Sequence, residues 1–226
     1  MGVAAPKGVI VEFDFAAMDG AELLFDVAAG HLRALDGIAL DQAAERKFLA
    51  GRSYAEGLAA FFRTVKTKKT PQKTARDIAA AFSKAVADAL PKAVAPGLRN
   101  FTSALVERGA KVVFLTHAAP DAASAALAPL LGENVSVFQD ETDCYGFPRW
   151  DAWRRASHAN GLPRLSAVVV TGSGFGVRSA LLAGMGSMAV VKPRTSYQDF
   201  TGADDVVKDI SAATARRLLA RLFRQA

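Results

Sequence analysis

Cysteine is almost missing from this chain: Cys144 is the only one. A lone thiol excludes an intramolecular disulfide and a cysteine-based metal cluster, and it fits a reducing compartment. Long apolar runs are missing as well, because glycine, lysine or aspartate interrupts each one before it reaches the length of a membrane span. No Ala-x-Ala cleavage pattern follows an apolar region near the N-terminus, so no secretory signal is read. The expected setting is soluble and intracellular, in the cytoplasm or, after loss of a presequence, in an organelle. No internal repeat or low-complexity tract occurs. The histidines, His31, His117 and His158, are far apart and fall in no metal-binding pattern. His31 and His158 read as helix-surface residues. The run TGSGFG at 171–176 lacks dinucleotide spacing, and Ser173 lacks the Gly-x-Ser-x-Gly elbow, which argues against a nicotinamide site and a serine hydrolase.

What is present is a large apolar fraction, 51% of 226 residues, enough for a sizeable core. Charge is unevenly placed. The net +6 comes from 28 basic and 22 acidic side chains. Residues 46–76 hold nine of the basic ones (Arg46, Lys47, Arg52, Arg63, Lys66, Lys68, Lys69, Lys73 and Arg76) against Glu56 alone. A second cluster, Arg216, Arg217, Arg221 and Arg224, ends the chain. Such clusters suit a phosphate backbone or an acidic protein surface, so RNA or an acidic partner is expected at 46–76 and at the C-terminal arginines. A solvated helical face is the plainer alternative.

The β-branched run at 9–13 reads as a strand. Four helical segments follow without a strand, at 21–35, 41–50, 53–65 and 74–90, with the polar stretch around Pro71 as a loop. After Pro96-Gly97 the pattern alternates. Strands are expected at 111–115, 135–138, 167–170 and 187–191, with helices at 98–108, 121–131, 150–159, 177–183 and 211–224. Strands alternating with helices indicate a parallel sheet with right-handed crossovers, an α/β fold. The first strand ends on Glu12 and Asp14, two carboxylates spaced to share one side of a strand at the edge where open α/β sheets bind ligands.

These motifs resemble the haloacid dehalogenase-like (HAD) hydrolase superfamily, in its phosphatase and β-phosphoglucomutase branch with a helical cap. Glu12 to Asp19 (EFDFAAMD) stands where the family has Asp-x-Asp-Gly-Thr-Leu-Val-Asp. Phe48 to Arg52, Pro96-Gly97, Thr116, the Pro148–Asp151–Trp153 frame and Val168 to Met185 follow in the family's order. The resemblance implies a Rossmann-type core at 1–19 and 96–226 with a four-helix cap at 20–95. It places the nucleophile at Glu12, the general acid/base at Asp14 and phosphate contacts at Thr116, His117 and Ser173. Mg²⁺ would be held by Glu12 and Asp14, if metal binding survives.

Several of the family's residues are changed. The Gly-Thr after the second acid is Phe15-Ala16, the third-motif lysine is Phe147, and the fourth-motif acid falls on Thr171-Gly172-Ser173. Both sources of positive charge at a developing oxyanion are weakened together, with Arg149 or Arg178 as substitutes to look for. The expectation is therefore a pseudoenzyme that binds or scaffolds, with no cofactor. A divergent Mg²⁺-dependent phosphatase using Glu12 and Asp14 is the alternative, and a ligand sensor a third reading.

Overall fold

Strand β1 (Gly8–Glu12) lies inside a sheet with β2 (Lys111–Thr116), β3 (Val135–Gln139), β4 (Ala167–Thr171), β5 (Gly186–Val190) and β6 (Asp205–Val207). The order is β3-β2-β1-β4-β5-β6 and every pairing is parallel. The coordinates are a computed structural model, and they describe residues 6–93, 96–139 and 150–223. Every residue of β1 and β4 is buried, as strands covered on both faces require. Side-chain alternation sends Val9, Val11, Val112, Phe114, Val168 and Val170 to one face. Ile10, Val113, Leu115 and Val169 go to the other.

The helices between β1 and β2 pack on the first face. The first of them are α1 (Gly20–Asp36), the short α2 (Gln42–Ala44) running into a turn at Glu45–Leu49, α3 (Tyr54–Val65) and α4 (Pro71–Ala93). Leu24, Ala28 and Leu32 of α1, Leu58 and Phe61 of α3, and Ile78, Phe82 and Val86 of α4 join the same buried cluster as the strand residues. Helix α5 (Pro96–Val106) leads into β2, α6 (Pro120–Leu127) follows it, and α9 (Ala212–Leu222) closes the described chain. On the second face, α7 (Trp150–Ala159) and α8 (Gly174–Ala183) cover the sheet with Trp153, Ala156, Ala180 and Ala183.

The expected elements are present with shifted ends. Helix α4 starts at Pro71, inside the stretch expected as loop. Proline suits a first helical turn, where its missing N–H has no intrahelical acceptor. Strand β6 is unforeseen, because three residues carry no readable period. Trp153 is fully buried and donates Nε1–H to Ser179 at 2.9 Å, while Trp150 stays exposed at the helix start. His31 is half-buried, with Nε2 lacking a partner among the described residues, rather than lying on the helix surface. Cys144, Phe147, Pro148, Arg149 and Arg224 lie outside the described residues.

The chain leaves β1 toward β2 on one side and returns through β4 on the other. That reversal makes a crevice at the carboxyl ends of β1, β2 and β4, which end on Glu12, Thr116 and Thr171. No helix among the described residues is long and apolar enough to cross a membrane.

Candidate active site

The strand expected to carry both carboxylates ends at Glu12. Phe13–Ala17 form a wide helical turn of π type, so Asp14 leaves the strand and the alternation rule does not govern it. The two acids consequently face opposite neighbours. Glu12 turns to β4, where Oε2 accepts from the Thr171 hydroxyl and from the Gly172 N–H at 3.1 Å. Asp14 turns to β2. Its Oδ1 accepts from the Thr116 hydroxyl at 2.6 Å, and its Oδ2 meets both the His117 N–H and the His117 Nδ1 at 2.7 Å. Glu12, Asp14, Thr116 and Thr171 have no solvent exposure.

Burial dominates the electrostatics of Glu12. Desolvation pushes its carboxyl up from 4.5 to about 7, against the opposing effects of Thr171, Gly172 and His117, with Asp14 adding a smaller upward push. Its second oxygen, Oε1, is buried and has no partner among the described residues.

Phe15 occupies the position of a small residue in the family's motif. Its ring is 2% exposed and sits 5.9 Å from Phe82 of α4 and 6.2 Å, edge-on, from the His117 imidazole. Phe82 and His117 are 5.7 Å apart, which closes a three-ring cluster around the histidine that meets Asp14. Behind the ring, a Cβ on Gly172 would overlap the Phe15 carbonyl and stand 2.9 Å from the Phe15 Cβ, so only glycine fits there.

The glycine-rich run does not present free donors to an anion. The Gly172 N–H goes to Glu12, the Ser173 N–H to the Thr171 hydroxyl at 3.3 Å, and the Gly174 N–H to Gln198 Oε1 at 2.8 Å. Ser173, expected to contact phosphate, is the N-cap of α8, where Oγ accepts from the Gly176 N–H at 2.9 Å. Thr116 and His117 are already engaged with Asp14. Arg178 is exposed and lies beside Gly51 and Asp199, and the charged groups acting on Glu12 are His117 and Asp14.

Among the described residues, the site does not fit Mg²⁺, which needs near-octahedral oxygen coordination. Both Asp14 oxygens and one Glu12 oxygen hold protein donors, and the fourth-motif carboxylate is absent. Among the described residues, no group of three His, Cys, Asp or Glu side chains is placed to hold a metal ion.

Two partners of this site, Thr171 and Ser83, escaped the sequence reading, as did a buried arginine elsewhere in the fold. Thr171 had a readable signal, since β4 ends in threonine as β2 does. Ser83 on α4, whose hydroxyl donates to the His117 carbonyl at 2.7 Å, had none. Arg194, after β5, had none either. Its side chain is 9% exposed, bonds Glu45 at 3.1 Å, approaches Glu22 at 3.6 Å and stacks 3.9 Å from the Phe25 ring centre.

The basic residues divide into separate places. Arg46, Lys47 and Arg52 precede α3 and Arg63 to Arg76 follow or end it, so a helix of about 18 Å separates the groups. Arg46 stacks on Tyr197 at 4.4 Å. At the C-terminal cluster, Arg217 and Arg221 pair with Asp205 and Asp204 at 2.8 and 2.7 Å.

Sheet order, helical insert and crevice define the fold of the haloacid dehalogenase-like hydrolases, as the motifs led one to expect. Solved structures of such proteins superpose on nearly the whole chain. A phosphonoacetaldehyde hydrolase-like protein from Oleispira antarctica matches with a TM-score of 0.70 at 16% identity, over 100% of this chain and 98% of its own. CbbY from Rhodobacter sphaeroides, in complex with phosphate, matches with 0.68 at 19% identity, over 91% and 95%. A β-phosphoglucomutase from Clostridium difficile matches with 0.68 at 13% identity, over 97% and 98%. No family model and no curated relative matches by sequence. At these identities the likeness is one of fold.

Proposed function

We propose that this chain is a non-catalytic protein on a hydrolase fold, one that binds or scaffolds rather than turns over a phosphoester. The observation that carries the reading is the engagement of both Asp14 oxygens by the protein itself. A general acid/base must reach a reacting atom, whereas both Asp14 oxygens are held by Thr116 and His117 within the protein. The His117 ring that meets Asp14 packs in turn against Phe15 and Phe82. The test is a panel of phosphomonoesters assayed with Mg²⁺, Mn²⁺ and chelator. The expected result is no turnover above background with any metal. Metal-dependent turnover that disappears in Asp14→Asn overturns the reading.

One observation favours a divergent phosphatase as second reading. Glu12 Oε1 is buried without a partner among the described residues, and a substrate or cation would satisfy it. That reading requires inorganic phosphate or Mg²⁺ to raise the melting temperature of the wild-type chain and not of Glu12→Gln.

A further inference from the structure

We propose that the turn joining α3 to α4 docks the phosphate backbone of a nucleic-acid duplex, an inference that rests on reading the chain as a binding protein. Between positions 63 and 76 the chain carries Arg63, Lys66, Lys68, Lys69, Lys73 and Arg76, all exposed, and no acidic residue. Two acids from outside this stretch answer them. Asp36 at the end of α1 takes Lys69 at 3.2 Å, and Asp77 takes Lys73 at 2.6 Å. Among the described residues, Arg63, Lys66, Lys68 and Arg76 form no ion pair.

The turn is held in place. The Thr67 hydroxyl donates to Asp36 at 2.9 Å, beside the Lys69 pair, and the Lys69 N–H donates back to Thr67 Oγ1 at 3.3 Å. Lys66, the C-cap of α3, adopts φ 55°, the one left-handed non-glycine among the described residues. Helices α1 and α8 place glycine at the same position, Gly37 at φ 64° and Gly184 at φ 74°. A side chain is strained in that conformation and glycine is not. Keeping lysine there retains a charge at the tip of the turn against the local preference.

The chemistry of the surface selects the partner. Val65 is the sole large apolar side chain exposed in this stretch. Protein interfaces depend on buried aromatic or apolar anchors, membrane-surface helices on an apolar face, and single-strand binders on stacking rings. This turn offers none of these. A duplex backbone needs only spaced cations that displace counter-ions, with an exposed hydroxyl such as that of Thr70 beside them. Lys73 and Arg76, both in α4, stand one helical turn apart, about 5 Å.

Fluorescence anisotropy of the full chain with labelled duplexes of about 20 base pairs, titrated between about 50 and 200 mM salt, tests this. RNA and DNA duplexes of one sequence form separate arms, which identify the source of the phosphates. Four unpaired cations predict a slope of log affinity against log salt of about −3 to −4. The triple variant Arg63→Gln, Lys68→Gln, Arg76→Gln is expected to bind at least tenfold more weakly, by about 1.4 kcal/mol or more, with its melting temperature unchanged. Lys66→Gly is expected to lower the slope by about one while raising the melting temperature, a combination that damage to the fold does not produce. Arg217→Gln with Arg221→Gln, whose guanidiniums already pair with Asp205 and Asp204, is expected to bind as wild type. Absence of salt-dependent duplex binding overturns the proposal, as does unchanged binding by the triple variant. Tighter binding to phosphatidylserine vesicles or to polyglutamate overturns it in favour of a membrane or an acidic protein. Phosphoester turnover beside intact duplex binding removes the non-catalytic reading alone. No duplex binding without turnover removes the docking surface alone.

Discussion

The Ser83 hydroxyl on α4 donates to the carbonyl oxygen of His117 at 2.7 Å, at the loop that leaves β2. The same His117 holds Asp14 through its backbone N–H and its Nδ1. One residue therefore ties the helical insert to the carboxylate that begins the site, and Phe82 packs beside Ser83 against the same imidazole.

Truncating this clasp is expected to be costly. Phe82 is 2% exposed, so Phe82→Ala leaves a cavity between insert and sheet and should destabilise by about 3–5 kcal/mol. Ser83→Ala removes one hydrogen bond and should cost about 1 kcal/mol. Chemical denaturation of both variants gives these values. A loss under about 1 kcal/mol for Phe82→Ala means the insert does not depend on the ring cluster.

Glu12 should make the protein less stable as pH rises. The folded chain keeps the Glu12 proton to about pH 7, whereas the unfolded chain releases it near 4.5. The contribution is full below 4.5 and is lost as pH climbs through 7, a difference of about 3 kcal/mol. Glu12→Gln cannot ionise, so it should be more stable than wild type at pH 8 and lack this slope. Denaturation midpoints of both proteins from pH 4 to pH 9 check this, and parallel curves would refute it.

Restoring an acid in the fourth motif should fail. A Cβ at position 172 overlaps the Phe15 carbonyl, so Gly172→Ala and Gly172→Asp are expected to lose similar stability, about 2–3 kcal/mol. Calorimetric titration of Gly172→Asp with Mg²⁺ should show no binding. Saturable Mg²⁺ binding would mean that Phe15 yields its place.

Arg194→Met should cost more at pH 8 than at pH 5. Burial raises the Glu45 carboxyl above its ordinary range, and Arg194 is the largest opposing influence. Without the guanidinium the carboxyl rises further, so the folded chain holds the proton more tightly and loses stability as pH increases. A loss of about 3 kcal/mol at pH 8 is expected from a buried carboxylate left without its partner. Thermal unfolding of wild type and variant at both pH values measures it.

The backbone of the site was legible before the fold was known. Strands at 9–13, 111–115 and 167–170 follow from short apolar runs stopped by polar residues, and the parallel sheet follows from their alternation with helices, although the first ends at Glu12 and does not reach Asp14. Helical spacing between 21 and 90 exposed the insert, because an amphipathic period repeats over many turns. Strand β6 and the proline at the start of α4 were not legible, since a three-residue strand has no period and proline is compatible with both a loop and a first helical turn.

What sequence alone determined here is the fold, and the absence of a fourth-motif carboxylate after Glu12 and Asp14. Both are local properties, carried by residue type and spacing along the chain. What tertiary structure decided is the state of the two acids that remain. Spacing by two suggested a shared side, but the turn at Phe13–Ala17 parts them, giving Glu12 to Thr171 and Asp14 to Thr116 and His117. Those contacts join residues about a hundred or more positions apart. Whether a carboxylate is free for chemistry or engaged by the protein depends on which distant donors the fold brings within about 3 Å, a distance that no pattern along the chain encodes.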